Sequence, residues 1–558
     1  METKNLILLA GMSVLCMFAL CKLFMDRDKS LLTAKNREIP DRVYYIILIL
    51  IAAVALFVRL YQFGVVPGGS NQDGAMAAVE AAALAEYGTD RFGMRFPVFF
   101  TGWITAQMAV MLSYLAIPFV KLFGLSILAV RLPQLLISLL GLLFLYLLTR
   151  DVFGRNIALV ISGFAAIAPW HIMQSRWALE SNMYPHFFIA GVYFLNLAVR
   201  EGIKRKYLII SMVIFGLSMY CYGVSIYTMP VFLLMACIYL LVKNKVTFSD
   251  AAIAFVTYLL FAWPFIVCMA INFFQFDTIE TPLFTIPYFS ESVRASDILF
   301  FADNFLEQLR SNLRSLFNMT VAQTMDSLWN NVEKYGTTYR FSISFAVVGI
   351  AVLFQYFRKK AGSILIFFFL LTGIWCGIVT NNVNINRVNI IYYPIIILIG
   401  IGIYYTGFAV YSILIRSGIL AVYAVVFVTF VYTYFTTYAD QIAETFYKNF
   451  TEALAAVRDS DADVYYITAD TQYEGSYMVS EILTMLWLDI DAEYFQGKTA
   501  DENGLYYSEK YIYVRMEDLE IDPDQDAVYI ITYGDAQYFD EEDFDLIQYG
   551  SYFVATPK

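Results

Sequence analysis

Residues 101–123 read TGWITAQMAVMLSYLAIPFVKLF, and whether they cross a membrane decides how the whole chain is threaded. The stretch is apolar enough to span a bilayer, and so is 132–149 after it. If both cross, Arg150, Arg155 and the cluster Arg200, Lys204, Arg205 and Lys206 all fall outside. That repeatedly violates the bias of lysine and arginine toward the cytoplasmic side. If 101–123 stays at the surface, every later loop obeys the bias. Gln107, Ser113 and Pro118 within the stretch suit an interfacial helix. Residues 75–123 are therefore expected to form two outer-face juxtamembrane helices, a small alanine-rich one and a longer one.

Composition agrees with a membrane chain. Of 558 residues, 59% are hydrophobic and 15% charged, with mean hydropathy +0.61, too apolar for a soluble protein of this length. Long apolar runs broken by short polar segments mean helical spans and not a barrel. Twelve spans are expected: 5–25, 43–62, 132–149, 156–173, 184–200, 207–223, 226–242, 250–272, 341–357, 362–380, 390–410 and 417–437. The first is read as uncleaved, since no small-residue cleavage site follows it. Arg27, Lys29, Lys35, Arg37 and Arg42 then mark a cytoplasmic loop, and the N-terminus lies outside. All six cysteines lie in apolar runs, so they form no disulfide framework.

The net charge of −11 hides a division. Residues 439–558 hold 27 Asp and Glu against 6 Lys and Arg, a net −21, which leaves +10 on the rest. The expected organisation is an extra helix and loop at 1–42, a membrane domain at 43–438 and an acidic soluble domain at 439–558. In the tail, helical patterns at 441–458 and 478–488 alternate with β-like runs at 463–468, 511–514, 528–532 and 552–555. A small α/β domain follows, separable because few contacts should cross such a boundary. The connection 273–340 is long enough to be functional or a lid, with a helical stretch at 303–316.

Polar groups gather in the expected outer loops. Residues 64–99, GVVPGGSNQDGAMAAVEAAALAEYGTDRFGMRFPVF, place Asp73 just past a membrane helix, with Glu80, Arg91 and Arg95 beyond it. A carboxylate at that position is either functional or the N-cap of the alanine-rich helix. Residues 169–186, PWHIMQSRWALESNMYPH, bring His171, Arg176, Glu180 and Asn182 to the same face. Arg176 and Glu180 could form an ion pair four residues apart on a helical turn. His171 and His186 have no ligand-spaced partner, so a structural role outweighs a metal role. In residues 381–394, NNVNINRVNIIYYP, Arg387 is the sole cation, of the type best shaped for a phosphate. A carboxylate with arginines at a membrane surface suits sugar transfer from a polyprenyl phosphate. Arginine offsets the phosphate's charge as it leaves, and the carboxylate takes the acceptor's proton. There is no Gly-rich nucleotide loop and no nucleic-acid motif.

With those residues in view, the chain resembles the type-C glycosyltransferases of the protein O-mannosyltransferase and aminoarabinose transferase kind. The likeness runs through RLYQFG and the acid Asp73, KLFGLSILAVRLPQLLISLLGLLFLYLLTRDVFG at 121–154, APWHIMQSRWALESN at 168–182, and Arg387 before Pro394. It covers about residues 43–440. It implies an all-α polytopic fold with about twelve transmembrane helices, and a polyprenyl-phosphate sugar as donor. Transfer would take place with inversion on the outer face of the plasma membrane. The acceptor would be a lipid, wall polymer or protein, and neither metal nor cofactor is expected. Asp73 is implied as the catalytic acid of the first loop, and Arg95 as the cation before the second juxtamembrane helix. Relatives carry Asp-Glu where this chain has Asp73-Gly74, so a second acid would come from Glu80 or Glu180, or be absent. Catalysis is thus assigned to Asp73 and Glu180, and donor phosphate to Arg95, Arg176 and Arg387. Glu80, Arg91, His171 and Asn182 are further candidates.

Twelve spans also fit a secondary transporter or lipid flippase, but transporters show repeated halves and midplane charges, whereas here the polar groups collect at one face. An envelope scaffold with the tail as docking module is a third reading. The threading has a direct test in single cysteines at positions 73, 180 and 387. All three should react with an impermeant thiol reagent on intact cells, and one at position 203 should not. Labelling at 73 without 180 would mean that 101–123 crosses.

Overall fold

The computed structural model describes residues 3–25, 39–102, 107–290, 298–324, 327–409, 413–471, 477–492 and 509–558. Of the expected cytoplasmic loop, Arg27, Lys29, Lys35 and Arg37 lie outside the described residues. Two apolar helices, α1 (Thr3–Met25) and α2 (Asp41–Leu60), lead into α3 (Gln72–Tyr87) and α4 (Met111–Phe123). The bundle continues through α5 (Ile127–Phe153), α6 (Arg155–Ile167), α7 (Pro169–Gln174), α8 (Glu180–Val199), α9 (Arg205–Ser218), α10 (Ser225–Val242) and α11 (Phe248–Phe274). After the long connection that holds α12 (Phe305–Phe317), it closes with α13 (Ile343–Val352), α14 (Ala361–Val379), α15 (Tyr392–Ala409) and α16 (Ile413–Phe435).

Among the described residues nine helices are long and apolar enough to cross a membrane. The other three expected spans correspond to α6 with α7, to α8, and to α9. Helices α6 and α9 have 13 and 14 residues and continue into turns or a second short helix. Helix α8 has 20 residues but carries Glu180, Asn182, His186 and Asn196, all buried in the bundle. At 13 residues, α4 is too short for the bilayer core: it rises about 20 Å against a core of about 30 Å. The longer helix expected over 101–123 starts only at Met111, because Phe100–Thr101 pairs antiparallel with Gln107–Met108. The cations of 150–205 sit together at one end of the bundle. Arg155 pairs with Asp41 at the start of α2, Arg200 with Asp151 at 2.6 Å, and Arg205 with Asp250 at 2.7 Å. That grouping is what a non-crossing 101–123 requires.

Where α2 ends, its last carbonyls have no intrahelical partner and little water to turn to. Two buried arginines supply the donors. Arg176 donates to the carbonyls of Val58, Arg59, Tyr61, Gln62 and Val66 at 2.7–3.2 Å. Arg131 donates to Gly64, Pro67 and Gly69 at 2.8–3.3 Å. The turn from α2 into α3 is therefore held by two guanidiniums. Helix α3 then runs buried on nearly every face, which its alanine-rich sequence permits, and ends at Gly88 with φ +69°.

The tail folds as helices α17 (Thr437–Thr445), α18 (Lys448–Ala456) and α19 (Tyr477–Trp487) with a five-stranded mixed sheet. Its strands are β1 (Val464–Thr468), β2 (Tyr511–Val514), β3 (Ala527–Thr532), β4 (Phe544–Tyr549) and β5 (Tyr552–Pro557), in the order β2-β1-β3-β5-β4. β1 is parallel to β2 and β3, while β5 is antiparallel to β3 and β4. The helix expected over 441–458 is two, broken at Phe446 and Tyr447, where Tyr447 has φ +55°. The charge boundary near residue 440 is not a packing boundary. Helix α19 packs on α3, Tyr87 donates to the Asp491 carboxylate at 2.7 Å, and Ser70 N–H donates to the Phe446 carbonyl at 2.8 Å.

Arg176→Ala leaves the carbonyls of Val58, Arg59, Tyr61 and Val66 without their donor, while that of Gln62 keeps the N–H groups of Val65 and Val66. Each unsatisfied buried group costs about 1–3 kcal/mol, so the variant should lose at least about 4 kcal/mol. Arg176→Lys should recover little, since an ammonium offers three donors and no planar fork. Thermal unfolding in detergent reads both, and a melting temperature unchanged by the alanine would refute the clamp.

Candidate active site

Asp73 is the second residue of α3, half-exposed, and Asn71 occupies the N-cap position in its place. A carboxylate in the first turn is favoured by the helix dipole without being the cap. Asp73 faces a cavity of about 200 Å³ whose wall also carries Glu180 and Arg387. Glu180 opens α8, is 5% exposed, and accepts the Ala109 backbone N–H, which fastens the end of the Gln107–Met108 strand to that helix. Arg387 is half-exposed. Its backbone N–H donates to Asn384 Oδ1 at 2.9 Å and its guanidinium to the Asn381 carbonyl at 3.1 Å.

Gly74 explains the Asp-Gly pair. A Cβ there would lie 2.7 Å from Asn71 Oδ1 and 3.0 Å from the Ala178 carbonyl. A side chain beside Asp73 in sequence requires the Asn71 side chain to turn away and the Ala178 carbonyl to give by a few tenths of an ångström. The second carboxylate of the cavity comes from the segment leading to Glu180 instead.

The remaining candidates lie elsewhere. Arg176 spends its guanidinium on backbone carbonyls and is fully buried, so the assignment of phosphate binding to it is corrected. Nor does it form the i,i+4 pair with Glu180, because a break in the helix separates them. Arg95 is exposed and away from the cavity wall, and its carbonyl accepts the Thr285 N–H. Glu80 is fully buried against Arg91, whose Nε lies 3.5 Å away and whose backbone N–H donates to it at 3.0 Å. Arg91 also donates to the carbonyl of Gly102, a residue of the cavity wall, at 3.3 Å. Glu80 and Arg91 thus brace the site without lining it. Asn182 is buried and donates to the Gln174 carbonyl at 3.3 Å. His171 belongs to a buried chain. Arg59 Nη2 donates to its Nδ1 at 3.0 Å, its Nε2 meets the Tyr393 hydroxyl at 3.0 Å, and that hydroxyl meets His186 Nδ1 at 2.8 Å. Arginine can only donate, so the chain has a fixed direction. Among the described residues no group of three or more His, Cys, Asp or Glu is arranged to hold a metal ion.

Sequence reasoning missed the neutral half of the wall, Gln107, Ser181, Tyr222, Asn384 and Asn386. Among the described residues Gln107 Nε2 and Ser181 Oγ have no hydrogen-bond partner. Buried polar atoms without partners beside a cavity suit a hydroxyl-rich ligand. The asparagine-rich run at 381–389 was a signal for it.

The family described as dolichyl-phosphate-mannose-protein mannosyltransferase matches residues 107–271. The structure of ArnT from Cupriavidus metallidurans bound to undecaprenyl phosphate aligns with TM-score 0.57 at 12% identity, over 91% of this chain and 97% of that one. The fold is that of the type-C membrane glycosyltransferases. The Archaeoglobus fulgidus oligosaccharyltransferase aligns more loosely, with TM-score 0.49 at 12% identity, over 80% of this chain and 63% of that one. No curated protein matches the chain by sequence. Within the type-C fold, the matched segment 107–271 contains Glu180, while Asp73 and Arg387 reach the cavity from either side of it in sequence.

Burial pushes the Glu80 carboxyl up to about 8, against the pull of Arg91. Burial likewise pushes Asp90 up to about 6, against the Met94 and Phe92 N–H groups that bond it. A raised carboxyl binds more protons folded than unfolded, so its stabilisation is complete at low pH and is lost as pH rises through the folded value. Thermal stability should therefore decline between about pH 4 and pH 8. Glu80→Gln should flatten most of the upper part of that decline, and melting curves at stepped pH measure it. An unchanged slope would show that Glu80 is ionised throughout.

Proposed function

We propose that this chain moves a sugar from a polyprenyl-phosphate donor to an acceptor hydroxyl on the extracytoplasmic face of the plasma membrane. The observation that carries this reading is the meeting of Asp73, Glu180 and Arg387, from three distant segments, in one cavity. The type-C fold and the lipid phosphate in the ArnT structure support the donor class. The basic residues gathered at the opposite end of the bundle support the orientation.

Asp73 acts as general base. It takes the proton of the acceptor hydroxyl as that oxygen bonds to the anomeric carbon. The bond from that carbon to the phosphate oxygen breaks, and polyprenyl phosphate leaves with the electron pair. Attack opposite the leaving group inverts the anomeric centre. Arg387 offsets the charge that grows on the phosphate. Glu180, held by the Ala109 N–H, is a second carboxylate that orients the acceptor or sugar hydroxyls. Gln107, Ser181 and Asn386 supply neutral hydrogen bonds to the ring. The step uses no metal or cofactor. The acceptor is a lipid, a wall polymer or a protein.

Asp73→Asn keeps the size and the first-turn polarity but cannot accept a proton. It should lower turnover roughly 10²–10⁴-fold with donor affinity largely kept. Arg387→Ala should instead weaken donor binding by roughly 1.5–3 kcal/mol. Turnover of a radiolabelled polyprenyl-phosphate sugar, donor affinity and melting temperature separate the two effects. Near-normal turnover by Asp73→Asn would remove Asp73 from catalysis.

A further inference from the structure

Phe446 ends the first helical segment of the tail and is 2% exposed. Its carbonyl accepts the Ser70 N–H at 2.8 Å, three residues before Asp73. The approach is so close that a Cβ on Gly69, which has φ +70°, would lie 2.2 Å from that carbonyl. Only glycine lets the tail backbone reach this loop. Trp487 of the tail adds a second tie, its Nε1 donating to Ser70 Oγ at 3.3 Å.

The Phe446 ring faces the other way. Its centroid lies 5.3 Å from the ring of Trp177, three residues before Glu180. Trp177 Nε1 donates to Asn330 Oδ1 at 3.3 Å, and Asn330 donates to Asn386, the cavity-wall residue that precedes Arg387. One tail residue thus touches the segments bearing both carboxylates and, through one tryptophan and one asparagine, reaches the segment bearing the arginine.

We propose that Phe446 is a positioning residue and that the acidic tail is a working part of the active site. It adds the tail's own tie between the Asp73 and Glu180 segments to those made by Arg176 and Ala178. This rests on the glycosyltransferase reading for its catalytic consequence but not for its structural one. Ring contact and backbone hydrogen bond act on different segments, so removing the ring takes away the tail's hold on the Trp177–Glu180 segment while the Arg176 clamp and the Ala178 approach to Gly74 remain. A misplacement on the order of 1 Å costs up to about 10²-fold in rate without a matching loss in binding.

The test is Phe446→Ala in the full chain, which deletes the ring and keeps the carbonyl. Turnover should fall ~10–100-fold, with donor affinity within about twofold, and Phe446→Tyr should restore most of it. Amide hydrogen exchange, followed by mass spectrometry, should accelerate in 178–184 in Phe446→Ala, whether or not a substrate is known. Ile547→Ala, on an exposed strand of the same tail, should change neither readout. If Phe446→Ala does not fold, Phe446→Leu is read in the same way, with a smaller expected loss. Wild-type turnover in the ring-deleted variant overturns the proposal. So does a loss of turnover with unaltered exchange in 178–184. A wild-type chain that transfers no sugar from a polyprenyl phosphate defeats the glycosyltransferase reading instead, and the exchange result then decides the positioning claim alone.

Discussion

The grip of two arginines on the backbone between Val58 and Gly69 is the constraint on which the rest depends. Eight carbonyls of that short stretch accept from Arg176 or Arg131. Among the described residues no carboxylate pairs with either side chain. The counter-charge is the negative end of α2's dipole and the carbonyls themselves. A buried cation held mainly by backbone, with the Phe435 ring 4.7 Å from the Arg176 guanidinium, is costly to remove and gives little for a ligand to compete for. The clamp turns the chain at the membrane boundary and fixes where α3 begins. Asp73 inherits its position from that turn, and the tail then docks on the same loop from the other side.

The parts legible in sequence were those governed by short-range rules. The charge pattern favoured a non-crossing 101–123, where the structure has a helix of only 13 residues, and the acidic tail stood out by composition alone. Asp73, Glu180 and Arg387 were readable because each is an ionisable group stranded at the end of an apolar run. The errors share a cause in long-range contact. Arg176 has the chemistry to hold a phosphate, and nothing near it in sequence reveals that it reaches back more than a hundred residues to the end of α2. Arg131, inside AVRLPQLL, is a charge in a membrane helix, and that alone marks it as important. What it holds is visible only in three dimensions. The break at Phe446 and Tyr447 interrupts a good helical pattern because docking on Ser70 outweighs local propensity.

Gly74 shows how two acids can occupy one cavity by different routes. Where there is little room for neighbours in sequence both to be acidic, a neighbour in space takes the place. The close approach of α3 to Ala178 disfavours the first possibility and favours the second. Reversing it would require a slightly wider gap as well as a new side chain, so the Gly74 and Glu180 positions are coupled.

The cavity's size carries a consequence of another kind. At about 200 Å³ it falls below the roughly 300–1,000 Å³ that encloses a drug-sized ligand. Under the proposed reaction it would take about one sugar ring, and a glycan of any length would therefore be built one unit per visit.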